Sequence, residues 1–584
     1  MKPLVWHLGP RSAELAERIA TALGGATIAG PDVHELRRAF VGGRPLVALA
    51  ATGIVIRILA PLLVDKRAEP PVLVVDEGGL FVVPLLGGHR GANELAGDLA
   101  EALAARAVVT TAGDARFGLA LDAPPPGWRL AGPEAAKLFM ARILEGATCR
   151  LVDPMGIANW LRAGRLPLAT DGELILEVTL EHREPDPLRL VYHPPILALG
   201  VGCERDAPAD ELQRLVAGTL SEAGLAPQAV ACVVSVALKA AEPAIHALAA
   251  GLDVPARFFT RETLAAEAPR LATPSAVVEA EIGIPGVAEA AALAAVGPAG
   301  RLVVPKRKSQ RCTCAVALAP AVLAPTTIGR ARGRLRVLGI GPGDPGTRTA
   351  AVEAALGEAD LVIGYGLYLD LVADLTRHAE KRTYPLGKER QRCADAIAEA
   401  ASGRDVALVC SGDPGIYAMA TLVMELLERS NDEAAARIEV SVLPGVSALQ
   451  VAAARAGAPL GHDFAAISLS DLLTPMAVIE ARLEAAAAGD FALALYNPVS
   501  RRRRTALATA RRILLAHRSP ETPVVIARNL GRNGETVDVT TLGQLEVDRV
   551  DMLSIVLVGA QGTRSFRRVS GGSWTYTPRG YDVS

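Results

Sequence analysis

The sequence predicts a multidomain α/β protein, and three observations carry that prediction. The chain has 584 residues, room for about three or four domains of ordinary size. Short apolar runs rich in β-branched residues alternate with alanine-rich helical stretches, the pattern of layered α/β domains. Proline- and glycine-rich breaks at Asp122–Gly127, Glu184–Pro195 and Ala317–Gly333 divide the chain. The division predicted is 1–121, 122–195 and 196–318, a linker over 319–333, then 334–440 and 441–584.

Composition narrows the class. Half of the residues are hydrophobic, so large aliphatic cores can form and disorder is not expected. Lys and Arg number 61 against 63 Asp and Glu, a net charge of −2 that supports neither a nucleic-acid nor a membrane-surface partner. Seven scattered cysteines make no disulfide framework, and Cys312 with Cys314 falls short of a metal ligand set. A reduced, cytoplasmic protein is expected. The apolar stretch Pro45–Val64 contains Gly53, Arg57 and Pro61, and reads as strand, turn and helix rather than a membrane span. No signal peptide is evident at Met1–His7.

In 1–121, Leu46–Ala51, Val72–Asp76 and Val108–Thr111 read as strands and Ala92–Ala105 as a helix. The stretch 122–195 is weakly patterned. Ile196–Cys203, Val233–Ala237 and Leu302–Val304 read as strands of a second small α/β domain. From Leu335 the pattern is strongest, with strands at Leu335–Ile340, Leu361–Gly364, Val406–Cys410, Glu439–Leu443, Phe491–Tyr496, Val524–Ala527 and Ser554–Gly559. The run Asp405–Cys410 is apolar without alternation, as in a parallel strand covered on both faces.

Four of these strands end in glycine or polar turns: Gly339–Asp344, Ser411–Tyr417, Pro444–Ala448 and Tyr496–Pro498. Ligands of open α/β sheets sit beyond the carboxyl ends of strands, where glycines let backbone amides approach them. Each turn alone reads first as a plain strand-to-helix connection; the set in this order is the signal. The first is no dinucleotide fingerprint, because the glycine spacing fails and Pro342 interrupts it.

The four turns in this order resemble the tetrapyrrole methylases, which transfer methyl groups from S-adenosylmethionine to uroporphyrinogen, precorrins and related macrocycles. Gly364-Tyr365, Tyr368-Leu369, Gly387-Lys388-Glu389, Pro459–Phe464, Ser468–Pro475, Tyr496–Pro498 and Thr577–Tyr581 are similar to the precorrin-3B C-17-methyltransferases among them. The resemblance spans roughly 334–582 and implies two α/β subdomains with the cofactor between them. By position it implies that Pro342, Ser411, Gly412, Asp413, Ile416, Ser447, Ala448, Asn497, Thr541 and Gly543 line the S-adenosylmethionine site. It implies a tetrapyrrole substrate, ring contraction along with methylation, and a homodimer. Ring contraction needs a proton donor or acceptor, and Asp344 is the candidate; a carboxylate holding a glycine turn is the equal alternative. Arg501, Arg502, Arg503 and Arg504 read either as a solvated helix face or as a clamp for the acetate and propionate groups of the substrate.

The first half resembles the cobalamin-biosynthesis CbiG family in Ala60–Leu63, Asp65–Arg67, Val75–Glu77, Pro84–Ala96 and Thr110–Asp114. The stretch 196–318 is similar to its C-terminal domain, also known alone as CobE, in Gly200–Cys203, Lys239 with Glu242, Val287–Ala291 and Lys306. This resemblance implies opening of the cobalt-precorrin-5A lactone with release of acetaldehyde. His89, Lys239 and Glu242 are the candidates for that chemistry. Lys239 and Glu242, three residues apart, would share a helix face, where a plain surface ion pair is the alternative. A non-catalytic carrier of labile intermediates and a methylase acting at another carbon are the competing functions.

Overall fold

The computed structural model describes residues 3–24, 27–64, 69–110, 116–184, 186–499, 505–569 and 571–581. Two compact units emerge, and each is taken by itself. One comprises Met1–Arg334 with Ile397–Asp405 and Ser430–Glu439; the other comprises Leu335–Ala396, Val406–Arg429 and Val440–Ser584.

The first unit holds three sheets. The first runs in the order Thr27–Ala29, Leu4–His7, Leu46–Leu49, Val72–Val75, Phe81–Leu86, Arg106–Ala107. Leu46–Leu49 and Val72–Val75 are wholly buried, as their unbroken apolar sequence requires. Pro45–Val64 does split into a strand and the helix Thr52–Leu59. The strand expected at Val108–Thr111 lies earlier, as the two residues Arg106–Ala107 paired in parallel with Phe81–Leu86. The helix Ala92–Leu103 ends at Ala104, which adopts a left-handed φ of 54°, so the chain leaves the helix directly into that short strand.

The middle stretch is more ordered than its pattern suggests. It forms a four-stranded sheet, Arg129–Ala131, Arg189–His193, Leu174–Val178, Cys149–Val152, over its own core of Phe139, Ile143, Leu161, Leu176 and Tyr192. The proline-rich break therefore contains a strand: Pro194 and Pro195 follow the last ladder residue, His193, and cost the sheet no hydrogen bond.

The third sheet follows the order Ala256–Phe259, Val230–Val236, Leu197–Cys203, Cys312–Leu318, Arg301–Lys308. The first three strands are parallel and the last two antiparallel. Helices Ala209–Glu222 and Pro243–Gly251 cover one face and Ala288–Val296 the other. The predicted linker is pinned here. Arg257 donates from Nε to the carbonyl of Ile328 at 2.6 Å and from Nη2 to those of Thr326 and Gly329 at 3.0 and 3.1 Å.

In the second unit, one sheet has the order Glu380–Tyr384, Leu361–Tyr365, Asp405–Cys410, Arg334–Gly339, Glu439–Leu443. Val406–Cys410 is buried throughout, as its uniform apolar run predicts. Another has the order Phe464–Ser468, Ala492–Tyr496, Ser554–Val558, Pro523–Arg528, Thr536–Thr541. Phe464–Ser468 is parallel to Ala492–Tyr496, and Ser554–Val558 is antiparallel to both Ala492–Tyr496 and Pro523–Arg528. The ends at Ser468, Tyr496 and Arg528 consequently lie together at one edge of this sheet. A small sheet of Gly457–Ala458, Ser573–Tyr576 and Arg564–Arg567 completes the unit. No helix among the described residues is long and apolar enough to cross a membrane.

Candidate functional site

Three strand ends meet backbone against backbone. The amide of Ile340 donates to the carbonyl of Cys410 at 3.0 Å, and Gly341 and Gly412 exchange hydrogen bonds at 3.3 and 2.8 Å. Gly445 closes the third side. A Cβ on it would lie 2.2 Å from the carbonyl oxygen of Gly412 and 2.4 Å from that of Gly339, so only glycine fits. Gly412 turns the chain with a φ of 66°. Room remains around it, since a Cβ there would come no closer than 3.8 Å to Ser447 and Ala448.

Asp413 fixes this junction. Its Oδ1 accepts from the amide of Gly415 at 2.8 Å and its Oδ2 from the amide of Gly445 at 3.2 Å. One carboxylate thus ties the Ser411–Tyr417 turn to the Pro444–Ala448 turn, and charged acceptors make the stronger hydrogen bonds of this kind. Asp413→Ala is expected to lower affinity for S-adenosylhomocysteine about tenfold or more, because two amides lose a charged acceptor. Calorimetry on the full chain checks it, and unchanged affinity would refute this role.

Ser447 caps the helix Ala448–Ala456 through a capping box with Gln450. The amide of Leu449, in its first turn, donates to the hydroxyl oxygen of Tyr496 at 3.3 Å. The ring of Tyr496 lies 5.3 Å from that of Tyr417, whose hydroxyl donates to the carbonyl of Ala466 at 2.8 Å. Burial pushes the Tyr496 phenol up, with the Leu449 amide opposing. Asn497 adopts a left-handed φ of 51° and donates from Nδ2 to Ser468 Oγ at 3.1 Å. The Ser468–Pro475 run is thereby anchored to the Tyr496–Pro498 turn. Ile416 lies exposed at the rim.

Pro342 and Ser411 meet Arg532, which donates from Nε to the Pro342 carbonyl at 2.7 Å and from Nη2 to Ser411 Oγ at 3.2 Å. Asp344 accepts from the amide of Gly346 at 2.8 Å and stands 4.0 Å from Arg455. Its carboxylate is committed to the turn, as the structural alternative expects, although half of it stays exposed.

Two expected cofactor residues are not brought to this ring. Thr541 pairs with Pro523 and Thr536 with Arg528, so Thr541 lies at the opposite end of the hairpin from the Asn529–Arg532 turn. Gly543 stays with it, donating its amide to the Pro520 carbonyl at 2.8 Å. The antiparallel register decides this. Arg501, Arg502, Arg503 and Arg504 lie outside the described residues, as does the side chain of His89, whose backbone is in the turn Gly88–Arg90.

In the other unit Lys239 Nζ stands 3.0 Å from Glu242 Oε1, while Glu242 Oε2 accepts from the amide of Asp206 at 3.2 Å. The pair does not share a helix face. Lys239 ends the turn Ala237–Lys239, and Glu242 is extended just ahead of Pro243, which opens the next helix. Burial, then Glu242, pushes the neighbouring Cys203 thiol up to about 11, which disfavours the thiolate.

Comparison with known proteins decides the family. Residues 334–546 match the model described as Tetrapyrrole (Corrin/Porphyrin) Methylases. Over 249 residues the chain is 44% identical to the "Probable cobalt-factor III C(17)-methyltransferase" of Salmonella typhimurium, covering 43% of this chain and 100% of that protein. The chain belongs to the tetrapyrrole methylases. It is 40% identical over 252 residues to the "Precorrin-3B C(17)-methyltransferase" of Sinorhizobium sp, covering 43% of this chain and 97% of that one. It is 39% identical over 250 residues to the "Cobalt-factor III methyltransferase" of Priestia megaterium, but spans only 45% of that protein's length. The solved structure described as the methyltransferase CobJ covers 42% of this chain and 100% of its own, at 40% identity and a TM-score of 0.40. Residues 34–114 and 197–317 match the models described as Cobalamin synthesis G N-terminal and Cobalamin synthesis G C-terminus.

A methylase of this family uses S-adenosylmethionine as its methyl donor. The ring suits that cofactor: backbone and small residues surround Gly412, with an aromatic pair and an apolar rim beside them. Sequence reasoning missed Arg532. The signal was present, since Asn529-Leu530-Gly531-Arg532 is a further polar turn at a strand's carboxyl end.

Proposed function

We propose that this methylase transfers a methyl group from S-adenosylmethionine to C-17 of precorrin-3B or its cobalt form, with contraction of the macrocycle. The observation that carries the reading is the 44% identity along the whole length of the Salmonella typhimurium methyltransferase. The ring of strand-end turns supports it. The sulfonium supplies a reactive methyl when bound, so the chain's own task is chiefly to position donor and acceptor. Gly339, Gly412 and Gly445 bring the turns together, Asp413 locks two of them, and Asn497 holds the Ser468–Pro475 run beside them. Asp344, on the Gly339–Asp344 turn, is the proton-transfer candidate, and the reading treats 334–440 and 441–584 as the two subdomains of a homodimeric enzyme.

The N-terminal part is proposed to open the cobalt-precorrin-5A lactone. The matches to both Cobalamin synthesis G models support this. The pairing of Lys239 with Glu242, with Glu242 also holding the Asp206 amide, favours a second reading in which this part carries intermediates without catalysis.

One assay of the full chain tests both parts. With metal-free and cobalt-bearing substrate side by side, it is expected to add one methyl group, which NMR places at C-17. Methyl transfer to another carbon would overturn the first reading. Acetaldehyde release from cobalt-precorrin-5A is expected, and its absence would favour the carrier.

A further inference from the structure

We propose that Arg532 binds a ligand carboxylate in the methylation site, either the amino-acid carboxylate of the methyl donor or a peripheral carboxylate of the macrocycle. The inference rests on the proposed function and assigns that site a recognition residue.

Arg532 is placed as a built element. Nε and Nη2 donate to the Pro342 carbonyl and to Ser411 Oγ, on two of the turns that form the ring. Its stem is seated as well, since a Cβ on Gly343 would come within 2.5 Å of Cγ. The guanidinium carbon lies 5.9 Å from the centre of the Tyr368 ring. A guanidinium has five N–H donors in a rigid fork, and those two bonds engage only part of it. Among the described residues no carboxylate lies within ion-pairing distance of Arg532.

The contrast with its neighbour is informative. Arg455 has Glu535 at 2.9 Å and Asp344 at 4.0 Å. Arg532, partly withdrawn from water, has two neutral oxygens instead. Burial lowers its pKa. A second guanidinium, that of Arg392, is buried as well, with Glu389 Oε1 3.6 Å from its Nη2 and no partner for its Nε. Arg532 and then Arg392 oppose the upward push that burial exerts on the Tyr368 phenol. A desolvated cation fixed at the edge of a ligand site, with donors to spare, suits a carboxylate that arrives with the ligand.

The test uses the full chain, Arg532→Gln, and ligand pairs differing in the carboxylate. S-adenosylhomocysteine carries the amino-acid carboxylate, whereas 5′-methylthioadenosine keeps the adenosine and thioether without it. Uroporphyrin III supplies the macrocycle's carboxylates. Affinities are read by calorimetry and fluorescence quenching. A loss of about tenfold or more for S-adenosylhomocysteine, with methylthioadenosine unchanged, supports the inference and names the donor as the source. A similar loss for uroporphyrin III alone supports it and names the macrocycle. Changes below about twofold for every ligand overturn it, as does an equal loss for both adenosine ligands, which marks a purely structural role. If the unsubstituted chain binds neither adenosine ligand, the methylation-site reading itself fails and the inference falls with it. Should Arg532→Gln not fold, Arg532→Lys is read by the same pairs; it keeps the charge without the fork, and a loss confined to the carboxylate-bearing ligand is again expected.

Discussion

Gly445→Ala is expected to cost the methyl-donor site more than any exchange of a polar residue around it. The added methyl would stand 2.2 Å from the Gly412 carbonyl oxygen, 2.4 Å from the Gly339 oxygen and 2.6 Å from the Gly339 carbonyl carbon. All three are backbone atoms at the ends of packed strands, so no side chain can swing aside. Overpacking of this kind costs roughly 3 kcal/mol or more where the surroundings cannot yield, which corresponds to about a hundredfold in affinity. The strain falls on the junction that Asp413 locks, because the Gly445 amide is one of its two donors. Calorimetric titration with S-adenosylhomocysteine should show the loss. Gly357→Ala is the control, since nothing lies within 4 Å of its new methyl group and it ends no turn of the ring. Equal affinities for the two variants would refute this account of the junction.

The uniform apolar runs were the legible part of the fold. Leu46–Leu49, Val72–Val75 and Asp405–Cys410 are buried nearly throughout, and in such strands one residue type suits every position. The middle sheet escaped because its edges are thin: Arg129–Ala131 is only half-buried and Cys149–Val152 alternates irregularly. Arg189–His193 was masked by the prolines that follow it. At the site, the strand-end turns in their order suggested a family, and it was the resemblance to that family, carried over by position, that named Gly412, Asp413, Ser447 and Asn497. Which end of its hairpin Thr541 occupies is not legible in sequence, because only the pairing of Thr541 with Pro523 and Thr536 with Arg528 sets it. Arg532 lies 190 residues beyond the carbonyl it bonds, a proximity that the fold alone creates.

Glu289→Ala should have the largest effect in the Cobalamin synthesis G segment. Glu289 is 2% exposed in the first turn of the helix Ala288–Val296, in an otherwise apolar layer. Its Oε2 accepts from the amides of Ala272 and Thr273 at 2.8 and 3.0 Å, and its Oε1 from the Thr273 hydroxyl and the Lys306 amide at 2.7 and 2.8 Å. Lys306 returns to the same loop, donating from Nζ to the Thr273 carbonyl at 2.8 Å. Helix, loop and strand are thus held by one carboxylate, with Lys306 tied to the same loop. Removing it orphans a set of buried donors at a cost of about 3–5 kcal/mol, a fall of roughly 10 °C or more in the melting of that segment. Burial alone would raise the carboxyl pKa, but the Lys306, Thr273 and Ala272 donors outweigh it and hold the group below its ordinary value. A carboxyl lowered on folding contributes stability above its unfolded value, near 4.5 here, and surrenders it as pH falls through the lower folded value. Scanning calorimetry should therefore show the melting temperature of the unsubstituted chain dropping as pH falls below that range, and Glu289→Gln should lack that part of the drop. An identical pH dependence in the two proteins would mean that the carboxylate is not what joins helix, loop and strand.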